Sequence, residues 1–69
     1  MRARRHLARE IKRLRKERRQ TQAAMAEALD IEVRHLQYLE AGELAPGFDL
    51  LVDLAGHFGV RVGDLLSPD

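Results

Sequence analysis

The stretch TQAAMAEALDIEVRHLQYLEAG, Thr21 to Gly42, carries two short helical patterns joined by one acidic turn, and its reading decides the fold. Thr21 is a hydroxyl-bearing N-cap candidate, and Ala24, Met25, Ala28 and Leu29 mark the inner face of a short helix ending near Asp30. Asp tolerates the left-handed backbone of a tight turn better than most non-glycine residues, and Ile31 is the apolar residue of that turn. A following helix runs from about Glu32 to Ala41, stopped by Gly42 at the C′ position. Leu36 and Leu39 supply its core face. Val33, Arg34, Gln37 and Tyr38, related by i, i+4 steps, share a different face.

Outward from this pair, Leu7, Ile11 and Leu14 recur at spacings of four and three, the stripe of an amphipathic helix from about Arg4 to Arg18. After the loop GELAPG, residues 42–47, the stripe Phe48, Leu51, Leu54, Ala55 and Phe58 marks a fourth helix ending at Gly59. VRVGDLL, residues 60–66, gives a short fifth helix in which Val60, Val62, Leu65 and Leu66 close the core. Strand alternation, internal repeats and linkers are all missing. The expectation is one all-α domain of five helices over residues 1–69, with 1–6 as a basic arm or helix extension and 67–69 as a frayed tail.

A chain of 69 residues sits near the size where one core only just offsets chain entropy, so a large buried active site is not expected. The absence of Cys removes disulfides and thiolate ligands. Leu7 and Ala8 are followed at once by Arg9 and Glu10, which leaves no apolar signal-peptide core, and no segment approaches the roughly 20 apolar residues of a membrane span. A cytoplasmic setting is the expectation. The formal charge of +1 conceals segregation: residues 1–19 hold ten basic groups and two acids, residues 20–69 two basic groups and nine acids. Such asymmetry points to an electrostatic partner for the first helix, or to pairing between the halves.

The run LRKERRQTQAAMAEALDIEVRHLQYLEAGELAPGFDLLVDLAGHFGVRVGDLL, Leu14 to Leu66, resembles the XRE/Cro-type, lambda-repressor-like helix-turn-helix DNA-binding domains. The elements that carry the likeness are TQ at Thr21 and Gln22, MAEAL before the turn, LQYLEAG, Pro46 six residues after Glu40, and the closing FGVRVGDLL. The resemblance implies that the second and third helices form the motif and that the third enters the major groove. It implies base reading by Val33, Arg34, Gln37 and Tyr38, which agrees with the helical face derived above. It also implies a phosphate contact from Gln22, and a buried charged pair of Arg15 with Glu40 that sets the placement of the third helix. Backbone N–H groups at Phe48, opening the fourth helix, are further expected phosphate donors, and where the basic N-terminal segment supplies phosphate contacts Arg18 and Arg19 sit beside Gln22 at the backbone.

This chain departs from the family's pattern where charge matters. Glu32 stands where Ser or Thr is usual, Asp30 where Gly is usual, and Arg19 and Gln20 replace Gly and an apolar residue before TQ. The loop around Pro46, often basic in relatives, offers Glu43, Ala45, Gly47 and Asp49. Two readings stay open. In one, the basic N-terminal segment, with Arg2, Arg4 and Arg5 reaching the minor groove, supplies the lost phosphate contacts. In the other, the fold is kept and the partner is a protein, as in an antitoxin-type role.

The expected function is that of a sequence-specific regulator of transcription, a repressor, binding double-stranded DNA. One domain offers few contacts, so a homodimer on a palindromic site is expected, with Leu44, Leu50, Val52 and Leu66 as interface candidates. No enzyme activity, cofactor, metal, membrane or small-molecule substrate is expected. His6, His35 and His57 lack a second ligand at helical metal spacing, Ser67 alone forms no triad, and Met25 reads as core filler.

Overall fold

A computed structural model describes residues 2–67, and every regular element among them is helical. In chain order these are α1 (Arg2–Glu17), α2 (Gln22–Leu29), α3 (Val33–Ala41), α4 (Phe48–Phe58) and α5 (Val62–Leu66). The all-α, five-helix expectation holds. Helix α1 already begins at Arg2, and Glu32 is the N-cap of α3 instead of its first residue. Met1, Pro68 and Asp69, which belong to the expected arm and tail, lie outside the described residues.

The helix ends follow from local chemistry. At the start of α2, Thr21 has an extended backbone and its hydroxyl accepts from the Ala24 N–H at 3.0 Å, satisfying one of the first-turn donors. α1 to α4 each finish on a residue in the left-handed region, and the end carbonyls are closed by a pair of backbone bonds. After α2 these run from Asp30 N–H to Glu27 O and from Ile31 N–H to Ala26 O. Gly42 and Gly59 serve α3 and α4 with φ of 77° and 69°. Arg19 and Asp30 serve α1 and α2 with φ of 55° and 57°, a conformation that costs an L-residue roughly 1–2 kcal/mol. Half-buried Ile31 packs against the core beside this turn, as the pattern required.

The core joins Leu7, Ile11 and Leu14 of α1 to Met25 and Ala26, Leu36 and Leu39, Leu54, Ala55 and Phe58, and Leu65. Helix α1 packs on α3 and α5, α2 on α3 and α4, and α4 on α5. Three expectations are corrected. Ala24 and Ala28 are exposed, because α2 turns Met25, Ala26 and Leu29 inward, an i, i+1, i+4 set. Phe48 is 73% exposed, since it opens α4 one turn before Leu51 and beyond the edge of the core. Leu66 is also exposed, while Leu65 alone of α5 is fully buried.

Candidate nucleic-acid interface

Because Leu36 and Leu39 are held at 0% and 1% exposure, the rotation of α3 about its axis is set, and the opposite side must face outward. Val33, Arg34, Gln37 and Tyr38 are all exposed on that side. Arg34 has no hydrogen-bond or ion-pair partner among the described residues, so its full fork of donors faces solvent. Tyr38, with Leu44, also walls a groove of about 300 Å³ whose other sides are Glu32, Arg34 and His35.

At the other end of α3 a closed polar network fixes the helix against α1. Arg15 Nε and Nη2 donate to the two carboxylate oxygens of Glu40 at 2.7 and 2.9 Å, a fork-on-fork pair with side chains only 10% and 4% exposed. The Arg15 guanidinium is held above its ordinary pKa by its bond to Glu40, against a smaller opposing effect of burial. Its Nη1 donates to the Gln20 carbonyl at 2.9 Å, and Gln22 Nε2 donates to Glu40 Oε1 at 3.1 Å. Gln22 therefore spends one amide N–H on the network, and its other, beside the N-terminus of α2, has no acceptor among the described residues.

Arg18, expected at a phosphate, is engaged within the chain. Its Nη2 donates to the Phe58 carbonyl at 2.6 Å and its guanidinium lies 5.2 Å from the centre of the Phe58 ring, so it joins the end of α1 to the end of α4. Arg19, exposed and strained into the left-handed region, carries no such bond. Gln20 and His57 are members of the same joint that sequence reading did not single out. His57 Nε2 and Gln20 Oε1 lie 2.8 Å apart, within hydrogen-bonding distance. They are 37 residues apart, and no local pattern announces the pairing.

The acids of the motif fall into three environments. Glu40 is inward and paired, and Asp30 forms the turn with its side chain exposed. Glu32 caps α3 in position only, since its side chain makes no capping hydrogen bond and is exposed. At α4, Gly47 likewise supplies no side-chain cap, so the first N–H groups, including that of Phe48, lack an intrahelical acceptor. Among the described residues, no cluster of three or more His, Asp or Glu side chains could hold a metal ion, and no helix is long and apolar enough to cross a membrane.

The model of a family described as a helix-turn-helix domain matches residues 6–67. No curated protein and no solved structure matches the chain.

Proposed function

The chain belongs to the helix-turn-helix domain family, and from that membership and the outward face of α3 we propose that it binds double-stranded DNA sequence-specifically, as a transcriptional repressor. The carrying observation is that Val33, Arg34, Gln37 and Tyr38 are exposed together while Arg34 has no hydrogen-bond or ion-pair partner among the described residues. A major groove about 12 Å wide admits one helix. In it, Arg34 reads guanine through two hydrogen bonds, Gln37 reads adenine, Val33 meets a thymine methyl, and Tyr38 packs on a sugar or phosphate. Backbone phosphates are held by Arg19, by the remaining Gln22 N–H, and by the open N–H groups at Phe48. Arg18 joins the end of α1 to the end of α4. So small a footprint calls for more than one copy of the chain on the DNA.

The exposed acids Glu32 and Glu43 and the Tyr38–Leu44 groove favour a second reading, in which this face takes a protein partner and the chain is an antitoxin-type or interaction module. Titration of the protein against a mixed-sequence duplex at two salt concentrations separates the readings. DNA binding that weakens steeply as salt rises supports the first. Absence of binding at both salts sinks it and leaves the second.

A further inference from the structure

Two outward helix faces of opposite character remain after the interface on α3 is set aside. On α1, Arg5, Arg9, Lys12 and Lys16 follow intervals of four, three and four, so they stand in one row away from Leu7, Ile11 and Leu14. All four are exposed and none has an ion-pair partner among the described residues, because the nearby acids Glu10 and Glu17 are both taken by Arg13. On α4, Phe48, Val52 and Gly56 form a row at i, i+4 and i+8, with Phe48 73% and Val52 43% exposed. Asp49 and Asp53 flank that row, exposed and likewise without an ion-pair partner among the described residues. Space above Gly56 is open, so a docking side chain can come close to the helix there.

The two faces complement each other. Long basic side chains lay their stems along apolar surface while their charged heads reach neighbouring carboxylates, and a guanidinium over the exposed Phe48 ring would repeat the Arg18–Phe58 contact within the chain. A two-fold pairing of α4 on α4 would instead bring Asp49 and Asp53 of both copies into one interface, where like charges repel. We propose that copies of this chain associate head to tail, the basic row of α1 in one copy docking on the Phe48–Val52 row of α4 in the next. One copy presents both faces at once, since α1 rests on α3 and α5 while α4 rests on α2 and α5. Such a contact is not a two-fold one, and it builds a ring or an open row according to the rotation between neighbouring copies. The face of α3 takes no part in it. One consequence rests on the DNA-binding reading: neighbouring copies load onto directly repeated sites in place of a palindrome. The association itself needs no DNA and is tested without it.

Sedimentation of the full chain at about 0.05 M and about 0.5 M salt should show self-association that weakens at least ~10-fold at the higher salt. The pair Arg9→Glu with Lys12→Glu, and the pair Asp49→Lys with Asp53→Lys, should each be monomeric, and an equimolar mixture of the two variants should associate again. Circular dichroism checks that each is folded; if a reversed pair unfolds, Arg9→Ala with Lys12→Ala or Asp49→Ala with Asp53→Ala takes its place and should weaken association in the same way. A parent chain that stays monomeric at both salts overturns the proposal. So does a mixture that stays monomeric, or association that needs Phe48 but survives the changes on α1, which would mean α4-on-α4 pairing. Binding of the α1 row to anionic vesicles or to DNA by a chain that does not self-associate assigns the row to that polyanion and overturns the proposal too.

Discussion

Helix α3 carries a glutamate at each end, and the two behave as different residues. Glu40 is 4% exposed in its side chain, receives two bonds from Arg15 and one from Gln22, and contributes to where the helix lies. Glu32 is exposed, caps nothing with its side chain, and leaves its charge beside the surface offered to a partner. The side-chain chemistry is the same. What separates them is whether a donor meets the carboxylate: α1 and α2 supply donors at one end, and none of the described residues does at the other. One end of α3 is therefore structural and the other is available for recognition.

The largest expected effect comes from breaking the closed end. Glu40→Ala leaves the Arg15 guanidinium buried without its partner and should cost about 3–5 kcal/mol, enough to unfold much of so small a domain. Urea denaturation measures it. Replacing both members, Arg15→Met with Glu40→Leu, should recover a large part of the loss, because the stranded charge is gone. A loss below ~1 kcal/mol in Glu40→Ala would contradict the assignment of that end as structural.

Adjacent arginines give the next contrast. Arg18→Ala removes the bond to the Phe58 carbonyl and the contact with its ring, and should lower stability by about 1–2 kcal/mol. Arg19→Ala should leave urea stability within about 0.5 kcal/mol while reducing the salt slope of DNA binding by about 1. If the two variants exchange these behaviours, the division between support and contact is wrong.

At the open end, Glu32→Ser supplies a hydroxyl to the capping position and removes a charge from the surface facing DNA. It should raise stability by about 1 kcal/mol and tighten duplex binding at low salt. Unchanged stability and unchanged affinity would show that the glutamate is neither a missing cap nor a repelling charge.

The smallest effect is electrostatic. Arg13 donates to Glu10 and holds its carboxyl below the usual value of 4.5, which outweighs the opposite push from partial burial. A depressed folded-state pKa means that this contribution is present above about pH 4.5 and fades as pH falls through the folded value. Urea midpoints at pH 6 and pH 3 should therefore fall less in Arg13→Ala than in the parent chain.

Much of the fold could be read locally because its signals are local. Thr21, Asp30, Gly42 and Gly59 stand at helix ends where capping chemistry puts them, and the stripes of Leu, Ile and Phe at three and four residue steps identify inner faces. Alanines define a face poorly, so spacing puts Ala24 and Ala28 inward where Ala26 is buried instead. Phe48 fits the periodic stripe of α4, but periodicity does not say where the core ends. The outward set on α3 follows from the same spacing that buries Leu36 and Leu39, and the Arg15–Glu40 pair entered only through family resemblance. The Arg18–Phe58 contact is marked by neither route, because its acceptor is a backbone carbonyl 40 residues away that no side-chain pattern announces.

Whether the open end of α3 reads bases is decided by selecting bound sequences from a random duplex pool with the parent chain and with Arg34→Ala at matched salt. The account predicts a defined motif for the parent, with discrimination of about 1–3 kcal/mol at one guanine position that disappears in the variant while the rest of the motif persists. An identical motif from both proteins, or no enriched sequence from either, would contradict it.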